Sequence, residues 1–154
     1  MGEDAAQGVT GETIWLDGEF VPWDEARVHV LTHSLHYGLG VFEGIRCYRT
    51  ADDRSAVFRL PEHVRRLYDS AHINLLDVPY KAETINEVIL DCLRRNNLVE
   101  GYIRPLVFIG DGAMGLNPGD NAIRVAVIAW QWGKYLGEEG MARGIRAKVS
   151  TFAR

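Results

Sequence analysis

Tyr102 and Arg104 stand two apart in the run Tyr102 to Ile109, whose β-branched and aromatic residues predict a strand. Alternate residues of a strand share a face, so the phenol and the guanidinium point the same way. Arginine offers a planar fork of donors and tyrosine one more, and together they suit a carboxylate. The competing reading is an Arg104 paired with a nearby Asp or Glu of its own fold. Phe42 and Gly44 share a face by the same rule. They put an aromatic wall beside a position without a side chain, which leaves room for a ligand or for a close approach of backbone.

Arg66 raises a related question. The apolar stripe Val64, Leu67, Tyr68 and Ala71 predicts an amphipathic helix, and at its angular spacing Arg66 falls almost opposite that stripe. By itself it is a solvated arginine; under a cofactor or a second domain it would be an anion ligand. Gly110-Asp-Gly112-Ala-Met-Gly115 matches the dinucleotide pattern GxGxxG after a strand, but Asn117-Pro118-Gly119 cannot open the helix that would hold a pyrophosphate. What is left is a glycine-rich loop with apolar Met114 and Leu116 at its tip, which either touches something outside or packs on its own core. His29, His33, His36, His63 and His72 lack partners at metal-ligand spacing and are read as structural, so no metal is expected. Cys47 and Cys92 form no CxxC pair and read as buried thiols.

The elements that must position these residues follow from patterning. Residues 1–11 have no apolar pattern and read as a disordered tail. Thr13 to Leu16 and Glu19 to Val21 flank Asp17-Gly18, the pair that supplies the positive φ angles of a tight hairpin turn. Val41 to Tyr48 and Ala56 to Leu60 predict a second hairpin. Pro61 opens a helix whose stripe runs to Leu75 and which Pro79 ends. Ile85, Val88, Ile89, Cys92 and Leu93 mark another helix, with Arg94 and Arg95 against its C-terminal dipole and Asn96-Asn97 as its stop. Ile123 to Trp132 reads as a strand buried on both faces, and Ile145 to Thr151 as the start of one more. The expected fold class is α+β, a mostly antiparallel sheet with helices packed on one side. Domain bounds are set at 12–138 for the compact unit and 139–154 for a connection and the first strand of a second unit.

Composition narrows the function. The chain has 154 residues, 47% of them hydrophobic, enough for one core. Seventeen Lys and Arg against 21 Asp and Glu give a net charge of −4 with no long basic run, which argues against a nucleic-acid binder. The longest apolar run, Val125 to Trp130, is six residues, and the N-terminus is acidic. Neither a membrane span nor a secretion signal is expected, and the expected location is the cytoplasm.

From Val28 to Tyr48 (VHVLTHSLHYGLGVFEGIRCY) the sequence resembles the bacterial branched-chain amino-acid aminotransferases, pyridoxal-phosphate enzymes of fold type IV. The likeness continues through Phe58-Arg59, Glu62-His63, Arg65-Arg66-Leu67, Asp69-Ser70-Ala71, Tyr102-Ile-Arg-Pro-Leu106, the loop from Gly110 to Pro118, and Trp132-Gly-Lys-Tyr-Leu-Gly137, covering essentially residues 13–154. It implies the small N-terminal domain of such an enzyme. Arg66 would then bind the phosphate of pyridoxal 5'-phosphate. Tyr102 would bind the substrate α-carboxylate, and Arg104 the distal carboxylate of glutamate, with hydroxyls from Tyr37 and Tyr135. Phe42, Gly44 and Tyr135 would wall the slot for a leucine, isoleucine or valine side chain, and Met114 and Leu116 would reach across an interface into the neighbouring active site of a homodimer or higher homo-oligomer. The substrates implied are branched-chain amino acids, glutamate and their 2-oxo acids.

In that family the Schiff-base lysine lies beyond the position of Arg154, and none of Lys81, Lys134 and Lys148 matches it. No catalytic residue is therefore assigned here, and the 154-residue chain is expected to be inactive alone, as the N-terminal half of the enzyme. Three alternatives stay open: a D-amino-acid transaminase or aminodeoxychorismate lyase of the same fold, a split enzyme, and a non-catalytic module for assembly or small-molecule binding. An apolar surface where a second domain would dock speaks against the last.

Overall fold

A computed structural model describes residues 9–132, 140 and 142–151; Tyr135 and residues 1–8 of the expected tail lie outside the described residues. Strands β1 (Thr13–Leu16) and β2 (Glu19–Pro22) form the expected hairpin, with positive φ at both Asp17 and Gly18. A turn of 3-10 helix at Trp23–Glu25 and a loop lead to α1 (His33–Tyr37), which periodicity did not announce. Five residues are too few to show a period, and Gly38, with φ +74°, stops the helix.

The next strand is one line broken in two. β3 (Gly40–Phe42) pairs with β6 (Gly101–Ile109) up to Phe42 opposite Leu106, and β4 (Ile45–Arg49) resumes with Ile45 opposite Ile103. The register does not slip, so Glu43 and Gly44 lie opposite Pro105 and Arg104. The Glu43 N–H donates to the Pro105 carbonyl across 3.1 Å, but proline has no N–H to return the bond, and the ladder is interrupted there. β5 (Ser55–Val57) completes the second hairpin. That strand is shorter than its apolar run suggests, because Arg59 takes a φ of +50° and Leu60 already begins α2 (Leu60–Ile73).

Helix α2 ends before Leu75, which corrects the expected stripe. The Leu75 N–H donates to the His72 carbonyl and the Leu76 N–H to the Ala71 carbonyl, a Schellman closure with Leu75 at φ +57°. Leu76 turns into the core while Leu75 is 89% exposed. Helix α3 (Ala82–Arg95) closes in the same way at Asn96 and Asn97, the expected stop, with Leu98 bonded back to Leu93.

All strand pairings are antiparallel, in the order β2-β1-β7-β6-β4-β5, where β7 is Ile123–Trp130, with β3 also on β6. Helices α2 and α3 cover one face, where Val64, Leu67, Ile85, Ile89 and Cys92 meet Ile45, Ile103, Val107, Val125 and Val127, all fully buried. The long strand β7 is therefore covered by helices on one face only, although the small Ala126 is buried on the other as well. Val125, Val127 and Ala129 are enclosed, whereas Arg124, Ile128 and Trp130 are half-buried on a side no helix of the described residues covers. Residues 145–151, expected as a strand, pair with no strand among the described residues, and Ile145 and Val149 are exposed.

Candidate functional site

The face of the sheet that no helix of the described residues covers carries the two residues that spacing offered as a carboxylate receptor. On β6, Tyr102 and Arg104 point to that face, and an Arg104 Nη2–H donates to the Tyr102 hydroxyl across 3.1 Å. Arg104 pairs with no carboxylate among the described residues, so the competing reading of a local ion pair fails. Its guanidinium lies over the Phe42 ring, 4.5 Å from the centroid, and its Nε is buried without a partner among the described residues. An arginine with no counter-ion, laid on an aromatic face and keeping donors unspent, is poised for an anion.

Tyr102 is fixed by its neighbours. Its ring packs 5.0 Å from Trp130, the cross-strand neighbour, and edge-on at 4.5 Å from Trp132. Its hydroxyl occupies the space where a Cβ on Gly44 would stand. The room at Gly44 is thus taken by a tyrosine hydroxyl of this chain, which is neither the ligand nor the close approach of backbone that spacing left open. Phe42 beside it is 57% exposed.

Arg66 lies on the other side of the same strand. The alternation that turns Phe42 and Gly44 to the open face turns Glu43 toward α2, where its carboxylate is buried. Arg66 Nε donates to Glu43 Oε1 at 2.6 Å and Arg66 Nη2 to Oε2 at 2.6 Å, a two-pronged pair. His63, one helical turn earlier, donates from Nδ1 to Oε2 at 2.8 Å, since an ionised carboxylate only accepts. Burial raises the Glu43 carboxyl, but the hydrogen bonds from Arg66 and His63 and their charge outweigh it, leaving the group below the usual carboxylate range. Arg66 lines an open cleft with Phe58, Arg59, Glu62, His63, Arg65 and Asp69.

Tyr37, Met114 and Leu116 belong to a second cluster at the far end of β6. The Tyr37 ring lies 4.4 Å from that of His33, which is fully buried. The His33 backbone N–H donates to the Gly110 carbonyl, and its Nε2 bonds the Gly115 carbonyl at 2.8 Å. The Asn121 side chain accepts from the Ala113 N–H and donates to the Ala113 carbonyl. The loop from Gly110 to Pro118 is thereby braced from inside while Leu116 is 88% exposed at its tip, so the tip does not pack on its own core. The loop leads into β7 and no helix follows it, as Asn117-Pro118-Gly119 implied. Tyr37 meets the rings of His33 and His36 rather than Arg104, and Tyr135 lies outside the described residues.

Sequence reasoning passed over Glu43, and it read His33 as structural, as the structure has it, without finding its partner. The signal for Glu43 was strand alternation: a carboxylate between Phe42 and Gly44 must face the helices, where a buried charge requires a partner. For His33 nothing local gives a clue, because its partner stands 82 residues away.

Residues 40–153 match the family model described as Amino-transferase class IV. The chain is 50% identical over 141 residues to a branched-chain-amino-acid aminotransferase of Pseudomonas aeruginosa and 47% identical over 142 residues to that of Escherichia coli K12, in each case over 92% of this chain and 46% of the relative. It superposes on a crystal structure of the Escherichia coli branched-chain amino acid aminotransferase with a TM-score of 0.89 at 46% identity, covering 94% of this chain and 48% of that one. On a T.th. branched-chain amino acid aminotransferase complexed with N-(5'-phosphopyridoxyl)-L-glutamate the TM-score is 0.78 at 46% identity, over 81% and 42% of the two chains. The chain spans about half the length of the curated relatives it matches.

Proposed function

The chain belongs to the class IV aminotransferases, and on that premise we propose that it is the small domain of an enzyme that exchanges amino groups between branched-chain amino acids and 2-oxoglutarate. The observation that carries this reading is the Tyr102–Arg104 pair on the open face, with Arg104 free of any carboxylate among the described residues and seated on Phe42. One pocket must take both an apolar side chain and the distal carboxylate of glutamate. A guanidinium lying on a phenyl ring offers both surfaces at one place. Arg104 would receive the distal carboxylate and Tyr102 the α-carboxylate, while Phe42 holds the aliphatic side chain and Gly44 leaves the Tyr102 hydroxyl its place. The branched-chain aminotransferases among the relatives support this reading over the D-amino-acid and aminodeoxychorismate alternatives.

Arg66, with two guanidinium nitrogens held by Glu43 and Nη1 unpartnered among the described residues, suits the phosphate of pyridoxal 5'-phosphate. When bound, that cofactor supplies the electron sink that lets an amino acid lose its α-proton. This domain would bind phosphate and carboxylates and exclude water from the apolar slot. Lys81, Lys134 and Lys148 are not matched to the lysine that moves the proton, so the activity is proposed for a protein of the relatives' length. Met114 and Leu116, on a braced loop with an exposed tip, would close the pocket of a second copy in a homo-oligomer, with Tyr37 beside the loop's anchor.

No helix of the described residues is long and apolar enough to cross a membrane. The test is steady-state kinetics of the full-length protein with leucine and with glutamate, before and after Arg104→Ala. The expected result is a loss of kcat/KM on the order of 100-fold for glutamate and a much smaller one for leucine. Equal losses for both would sink the dual-substrate assignment. Activity confined to a D-amino acid would move the enzyme to another branch of the fold.

A further inference from the structure

Glu43 stands between two substrate-face residues, Phe42 and Gly44, and turns its carboxylate to the opposite side of the sheet. We propose that Glu43 and His63 are positioning residues that fix the Arg66 guanidinium for a phosphate group. This inference rests on the reading of Arg66 as the phosphate ligand.

The Arg66 side chain is 64% exposed, and a long exposed side chain samples many rotamers unless something holds it. Glu43 holds it at Nε and Nη2 together, which sets the plane and direction of the guanidinium and leaves Nη1 without a partner among the described residues. The grip is itself anchored three ways. The carboxylate is 6% exposed and has little room to turn. Its Oε2 also accepts from His63 on the same helix as Arg66. Its backbone N–H is tied to Pro105 on the central strand β6. A phosphate arriving at Arg66 thus meets a donor whose orientation is set by the same stretch of strand, residues 42–44, that lines the substrate face. In the cleft around it Arg59 is engaged by Glu62 and Arg66 by Glu43, so Arg59, Arg65 and Arg66 are matched in number by Glu43, Glu62 and Asp69, and the attraction for an anion rests on the direction of the Arg66 donor rather than on an excess of charge.

Charge and orientation predict opposite signs, which makes the proposal testable. Glu43 carries a negative charge close to where a phosphate would bind. On Coulombic grounds alone, neutralising it by Glu43→Gln should tighten phosphate binding. If its role is to orient Arg66, the same substitution removes one prong of the pair and weakens binding. The measurement is the affinity of the full-length apoprotein for pyridoxal 5'-phosphate and, separately, for pyridoxal, which lacks the phosphate, both followed by cofactor absorbance. Glu43→Gln and Glu43→Asp are each expected to weaken pyridoxal 5'-phosphate by about tenfold and to leave pyridoxal unchanged. His63→Leu, which has no donor and so releases only one carboxylate oxygen, is expected to have a smaller effect of the same sign, and it serves if the Glu43 variants do not fold. Unchanged or tighter binding of the phosphorylated cofactor in these variants, with Arg66→Ala still weakening it, would overturn the positioning role. If Arg66→Ala leaves the two affinities in their original ratio, the phosphate reading of Arg66 falls, and this inference falls with it.

Discussion

His33 Nε2 donates to the carbonyl oxygen of Gly115 across 2.8 Å, joining a buried imidazole on α1 to the middle of a loop 82 residues further along the chain. Gly115 separates Met114 from Leu116, so this bond sets the position of both apolar tip residues. A carbonyl only accepts, so Nε2 must carry the proton, and Nδ1 is buried without a partner among the described residues. His33→Phe would keep a ring against Tyr37 but remove the donor. It is expected to lower protection of the Met114 to Asn117 amides by up to about tenfold in hydrogen exchange, the value of one net hydrogen bond. His33→Gln, which can still donate, should recover part of that protection. Unaltered exchange in His33→Phe would mean that Asn121 alone braces the loop.

Gly44 and Tyr102 are coupled by exclusion. A Cβ at position 44 would overlap the Tyr102 hydroxyl, so Gly44→Ala must displace the phenol or the strand. Overpacking of this kind costs about 1–3 kcal/mol and here also breaks the bond from Arg104. Tyr102→Phe removes the colliding oxygen. The alanine substitution is therefore expected to cost clearly less in the Tyr102→Phe background than in the wild-type one, by thermal or urea unfolding of the four proteins. Additive effects would show that the two residues do not share that space.

What sequence patterning made legible divides along physical lines. Alternation on β6 placed Tyr102 beside Arg104 correctly because both belong to one strand, where the period of two is local and rigid. The helical stripes located α2 and α3 for the same reason. Patterning erred at boundaries, where one residue in a left-handed conformation decides the outcome: Leu75 ended a helix that its apolar period would have extended, and Arg59 cut a strand short. It was silent where the deciding partner lay far along the chain, as for Glu43 with Arg66 and His33 with Gly115. For the open face of β7, a run of apolar residues could not tell burial by helices of this chain from partial exposure.

The Glu43 network sets an expectation for pH. The folded-state pKa of this carboxyl lies below its usual 4.5, because the hydrogen bonds and charges of Arg66 and His63 outweigh burial. A group so depressed contributes stability that is fully present above its unfolded value and is lost as pH falls through the folded one. Glu43→Gln is therefore expected to melt below the wild type at neutral pH by a constant margin that persists down to the ordinary carboxylate range. The margin should close as the pH is lowered further, through the depressed folded-state value. Melting curves of both proteins across that range provide the check. A margin that stays open in acid would assign the loss to packing rather than to the charge.

Leu75 offers a gain in stability rather than a loss. It adopts a φ of +57° at the C′ position of α2, a conformation in which an L side chain crowds the following carbonyl at a cost of about 1–2 kcal/mol. Nothing compensates through its side chain, which is 89% exposed, and the closure itself is made by the backbone N–H groups of Leu75 and Leu76. Glycine at this position removes the crowding, though it adds freedom to the unfolded chain that offsets part of the benefit, about 0.4–1 kcal/mol. Leu75→Gly is thus expected to stabilise the protein by up to about 1 kcal/mol and to raise its melting temperature. Leu75→Asn, with a side chain that tolerates the left-handed region, should lie between glycine and leucine. The order Gly above Asn above Leu in urea midpoint is the signature of relieved backbone strain. If leucine instead proves the most stable of the three, its exposed side chain is covered in the assembled protein, and that covering, measured by the same series on the full-length form, outweighs the strain.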